Sequence, residues 1–114
     1  MTFELIDLQD LGNSALQDFT QTLGVHSTSA GDFVTAAERL VAKVEFAYAV
    51  AAKLAHREAT LEGTVAIWSK MLSICDQAAA EIERNLAGSP RNKTSLDRIL
   101  DLRNAAERRR DLHA

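Results

Sequence analysis

Residues 32–61 read DFVTAAERLVAKVEFAYAVAAKLAHREATL, and the spacing of their apolar side chains decides the fold. Phe33, Ala37, Leu40, Val44, Ala47, Ala51 and Leu54 follow one another at alternating intervals of four and three, the a/d seam of a heptad pattern. Glu58 breaks the series and Leu61 resumes it. A second row, Val34, Val41, Tyr48 and Ala55, runs beside the first, and Phe46 and Val50 widen the arc. The polar residues Thr35, Glu38, Lys43, Glu45, Lys53 and His56 are left a narrow strip. A helix this apolar has neighbours on more than one side. It either sits centrally in its own fold or lends a face to a second subunit. Asp32 is its expected N-cap.

Downstream, Gly63 is the expected break, with Thr64 capping the next helix. The alternative break lies at His56–Thr60. Trp68, Met71, Leu72, Cys75, Ala79, Ile82 and Leu86 then form an apolar stripe at helical spacing, widened by Val65, Ile67 and Ile74, and Gly88-Ser89-Pro90 ends it. Helices over 32–62 and 64–87 would be about 46 and 36 Å long at about 1.5 Å per residue. Upstream, Leu5, Leu8 and Leu11 predict a short helix stopping near Gly12, and Leu16, Phe19 and Leu23 a second one; the alternative is a single helix kinked at Gly12. Residues 25–31 read as a loop. Pro90–Lys93 reads as a linker, and Thr94 as the cap of a last helix over 94–112, with Asp97 completing a weak capping box. Its apolar pattern (Leu96, Ile99, Leu100, Leu102) fades beyond Arg103, so the last turns are expected to fray or to be ordered by a partner. The expectation is an all-α fold in a single domain over 1–114: a helical bundle built on a long antiparallel helical hairpin, with short N-terminal helices and a C-terminal helix.

Composition agrees. The chain has 114 residues, 46% of them hydrophobic and 25% charged, which excludes wholesale disorder and suits one domain. Its modest core leaves a partner subunit to cover what the chain itself does not. The start, MTFELIDLQD, lacks the basic and apolar regions of a secretory signal. The most apolar run, Val44–Ala55, is interrupted by Glu45 and Lys53 and is shorter than the roughly 20 residues a membrane span needs. The single cysteine, Cys75, has no internal disulfide partner, so the expected location is cytoplasmic. The net charge of −3 is unevenly spread: residues 1–38 hold only acidic groups, whereas the tail from Arg84 is basic. The plain expectation is that the acidic first segment packs beside the basic last one; the sharper one is a basic tail for an acidic partner.

Chemistry-bearing patterns are sparse. A di-iron bundle needs Glu-x-x-His pairs, but Leu23, Lys53 and Arg110 stand three residues before His26, His56 and His113. His56 with Glu58 or Glu62 is at most an improvised metal site, so neither a metal nor another cofactor is expected. Cys75 lies in an apolar stripe and reads as a packed side chain. No Gly-rich phosphate loop and no G-x-S-x-G motif occurs. Arg91, Lys93, Arg103, Arg108, Arg109 and Arg110 form the candidate basic face for nucleic acid, which the pI near 5.5 disfavours. Arg108 and His113 make an Arg-x4-His motif that resembles the catalytic motif of HEPN-type ribonucleases, themselves small helical bundles. That resemblance implies that the pair would act on an RNA phosphate. It departs from the family in placement, with His113 next to last, and a solvated basic tail is the preferred reading.

The function this supports is a non-enzymatic protein–protein interaction or assembly module, self-associating as a homo-oligomer such as a dimer through the long hairpin. Its candidate interface residues are Leu40, Val44, Tyr48, Ala51, Trp68 and Met71. The alternative is a nucleic-acid-associated helical protein using the basic C-terminal segment. A third is an apolar-ligand binder with a dry pocket near Trp68.

Overall fold

A computed structural model describes residues 4–25, 30–84 and 90–113, and the side chains of 4–21, 35–84 and 93–113. Leu23, His26, Phe33, Val34, Leu86, Arg91 and the Gly88-Ser89 stop therefore lie outside the described side chains. The fold is all-α. It consists of α1 (Leu5–Val25), α2 (Ala30–Arg57), α3 (Leu61–Arg84) and α4 (Pro90–His113), with no strand among the described residues. No helix among them is long and apolar enough to cross a membrane.

The apolar spread of α2 is explained by its position. Both α2 and α3 touch all three other helices, whereas α1 and α4 do not touch each other among the described residues. The central pair is thus flanked by two outer helices, in a flattened body of 47 × 27 × 16 Å between Cα atoms. The core takes Ala37, Leu40, Val44, Ala47 and Ala51 from the α2 seam and Trp68, Met71, Cys75 and Ile82 from the α3 stripe. It also takes Leu8 and Phe19 from α1 and Ile99 and Ala106 from α4. The α3–α4 contact is the most extensive, followed by α1–α2; the α2–α3 contact comes third.

Several boundaries differ from expectation. The N-terminal segment is one continuous helix through Gly12, the alternative to two short ones. Gly12 is buried, and a Cβ built on it would lie 2.6 Å from Ile74 Cγ1. The glycine lets α1 approach α3; it does not stop the helix. At the start of α1 the Glu4 N–H donates to Asp7 Oδ2 at 2.7 Å, reaching back as in a capping box. Helix α2 begins at Ala30, two residues before Asp32.

The α2–α3 break falls at Glu58–Thr60, the alternative position, with Gly63 inside the first turn of α3. Thr60, not Thr64, is the cap. Its Oγ1 accepts from the Gly63 N–H at 2.9 Å, and its carbonyl accepts from the Thr64 N–H at 3.1 Å. Glu58 Oε1 in turn accepts from the Thr60 N–H at 3.1 Å and the Thr60 hydroxyl at 3.0 Å. The Thr60 backbone N–H, then its hydroxyl, hold the Glu58 carboxyl below its ordinary value of 4.5. Thr60→Ala is expected to lower stability by about 1 kcal/mol. The Glu58 contribution carries a definite sign. A lowered folded-state value stabilises fully above about pH 4.5 and is lost as pH falls through that lower value. Urea titrations of Glu58→Gln from pH 7 to pH 3 should show a shallower acid loss than the parent; an identical slope would contradict the capping role.

Helix α4 starts at Pro90, four residues before Thr94, because proline at the first helical position loses no hydrogen bond. It then continues to His113 without the expected fraying, anchored by Ile99 and Ala106, both fully buried. The expected packing of the acidic first segment beside the basic last one is not made between α1 and α4, which do not touch among the described residues. Asp18 of α1 instead meets Arg39 at 2.8 Å and Lys43 at 3.1 Å on α2. The α4 arginines reach inward, Arg98 to Glu45 of α2 at 2.7 Å and Arg103 to Asp76 of α3 at 2.9 Å.

Candidate interaction surface

Of the six residues expected to form an interface, Leu40, Val44, Ala51, Trp68 and Met71 are each at most 1% exposed. They are taken up by the chain's own core, and α1, α3 and α4 already cover the α2 seam. Tyr48 is half-buried, its ring centroid 5.3 Å from that of Trp68 with the planes tilted by 52°. The Arg109 guanidinium lies over both rings, 5.1 Å from the Trp68 centroid and 5.9 Å from that of Tyr48. This cation–π contact ties the last turns of α4 to the central pair. Trp68, 1% exposed, does not open into a dry cavity. The hollow beside it, about 370 Å³, is lined by Ala52, Ala55, His56, Glu58, Ala59, Thr60, Leu61, Thr64, Trp68, Arg109 and His113, a mixed polar and apolar set unlike an apolar-ligand pocket.

Most of the described basic C-terminal residues have partners inside the fold. Arg103 is held by Asp76 and Glu107, which keep its guanidinium proton bound more tightly than usual, with the Asp76 hydrogen bond foremost. Arg110 meets Asp111 at 3.1 Å, and Arg109 is stacked as above. Lys93 and Arg108 are exposed. The tail is therefore not a continuous row of free cations of the kind that tracks a phosphate backbone. Arg108 and His113 share the last turns of α4, but Arg109, not Arg108, lines the hollow with His113.

Protein-family models, curated proteins and solved structures offer no match to this chain.

Among the described residues no three His, Cys, Asp or Glu side chains cluster as a metal site would require. Burial pushes the Cys75 thiol up to about 12, aided by Asp76 and opposed by Arg103. That thiol is protonated at neutral pH and packs as a small apolar group.

Phe46, expected with Val50 to widen the apolar arc that α2 buries, instead faces outward, whereas Val50 is buried. Ala42, Phe46, Ala49 and Lys53 recur at intervals of four, three and four, and all four are exposed. Phe46 is 52% exposed. Leu5, Ile6, Leu61 and Leu112 are exposed too, but they stand in the terminal turns of their helices. Phe46 stands in mid-helix, between two alanines that leave room for a facing side chain. The signal was present in the sequence as an aromatic residue between Glu45 and Lys53, off the a/d seam.

Proposed function

We propose that the chain is a non-enzymatic protein–protein interaction or assembly module that self-associates through its α2–α3 hairpin. The observation that carries this reading is Phe46, half exposed in the middle of α2 with exposed Ala42 and Ala49 beside it. The contact surface is the outward strip of α2. The seam is not available for it, because the core consumes the seam. The outward side of α2 carries both signs of charge, Glu38 and Lys53, so a second copy is an electrostatically suitable partner. Covering the open half of Phe46 contributes about 1 kcal/mol, and two-fold symmetry doubles it to about 2 kcal/mol. A single-helix contact of this kind belongs to the small class of interfaces, so association in the micromolar range is expected.

The test is sedimentation of the intact chain and of Phe46→Glu across the micromolar range. The parent should form a concentration-dependent dimer, and Phe46→Glu should weaken it by roughly thirtyfold while keeping its helical circular dichroism. A parent that stays monomeric throughout would sink the proposal.

A further inference from the structure

We infer that the hollow at the α2–α3 connection binds a small oxyanion, carboxylate or phosphate, with Arg109 as the principal contact and His56 and His113 as supporting donors. This inference is independent of self-association, because the hollow does not include the Phe46 strip.

Arg109 differs from the ion-paired arginines of α4, and from Arg108 in lying over two aromatic rings. Arg98, Arg103 and Arg110 each face a carboxylate, whereas Arg109 makes no ion pair among the described residues and its side chain is exposed. It is nonetheless positioned: the Trp68 and Tyr48 rings hold its guanidinium over their faces. A guanidinium stacked in this way keeps its edge N–H groups free to donate as a fork to two oxygens of one anion. Fixing a long side chain beforehand also removes part of the ordering cost that binding would otherwise incur.

The other groups in the lining fit the same chemistry. His113 stands four residues after Arg109 on α4, on the same face of that helix, and His56 enters from the last turn of α2. The one carboxylate in the lining, Glu58, accepts the Thr60 N–H and hydroxyl and lies against Gly63. The Thr64 hydroxyl donates to the Thr60 carbonyl at 2.9 Å. Helix α3 supplies no ionisable group to the hollow. Its volume of about 370 Å³ sits at the small end of ligand pockets, room for an oxyanion and a short carrier.

Trp68, the sole tryptophan, lies beneath Arg109 and is the reporter. The intact chain is titrated with sodium phosphate and separately with sodium acetate, with chloride holding the ionic strength constant, while Trp68 emission and its indole N–H shift are followed. A saturable response is expected. Arg109→Gln should weaken it by about tenfold or more, and His113→Gln by a smaller factor. A response to phosphate alone identifies a phosphate site and a response to both a general oxyanion site; either upholds the inference. No saturable response to either anion, or an unchanged one in Arg109→Gln, overturns it. Should Arg109→Gln lose its helical circular dichroism, His113→Gln, altered at an exposed position in the last turn of α4, decides the outcome in its place.

Discussion

Trp68→Ala is expected to remove about 3–5 kcal/mol of stability, the range for emptying a large buried aromatic site. Trp68 is 1% exposed and is the largest fully buried side chain of the core. It packs against Tyr48 from α2 and lies under Arg109 from α4, so its loss unfastens three helices from one another. A domain of this size has only about 5–15 kcal/mol in total, and the variant should sit close to its unfolding threshold. The measurement is a urea titration followed by circular dichroism, since the fluorophore is gone. The midpoint should fall while the slope stays constant. Trp68→Phe, which keeps a ring on Tyr48, should lose less than half as much. If Trp68→Ala weakened dimerisation while leaving the monomer's stability intact, Trp68 would be an interface residue and its core placement wrong.

The second large effect is at Gly12. Adding one methyl group there places it 2.6 and 2.8 Å from Ile74 Cγ1 and Cδ1, in a region where Ile74 is itself buried. Overpacking of this kind costs about 1–3 kcal/mol. Gly12→Ala should therefore destabilise the chain, even though alanine in a helix is intrinsically better than glycine by roughly 0.5–1 kcal/mol. The double variant separates the two effects. In an Ile74→Ala background the obstruction is gone, and Gly12→Ala should become stabilising. Thermal melts of the four proteins give the cycle, and a Gly12→Ala effect of the same sign in both backgrounds would rule out the close approach.

Gly12 also shows what the sequence could and could not convey. The period of the apolar residues placed helices in all four segments, because period 3.6 survives any tertiary arrangement, but it did not show that the first segment is one helix or that α4 runs to His113. Local sequence leaves each of Gly12 and Gly63 with two meanings, a stop, the commonest one for glycine near a helix end, or a position inside a continuing helix. Both lie inside helices, Gly12 because α3 comes close and Gly63 because Thr60 caps the turn before it. Whether a glycine ends a helix or admits a neighbour depends on that neighbour, which one helix alone does not reveal.

The same limit explains the surface. Leu40, Val44, Ala51 and Met71 were legible as contact residues, but not whose contact they make: a seam facing α1, α3 and α4 has the same spacing as one facing a second chain. The charge asymmetry was legible as well. Its partners were not, since they depend on α1 and α4 lying on opposite sides of the central pair. Arg109 stood in a run of three arginines with nothing to distinguish it until the Trp68 and Tyr48 rings were brought beneath it.

The order of the helix contacts bears on how fast the chain assembles. The two most extensive contacts join α3 to α4 and α1 to α2, each pair consecutive along the chain. Consecutive helices close only short loops, whose entropy cost is small, and bundles dominated by such contacts fold in microseconds to milliseconds. Two helical pairs can condense separately and then dock across α2 and α3. Because α1 and α4 do not touch among the described residues, no step of that search requires the two outermost helices to find each other.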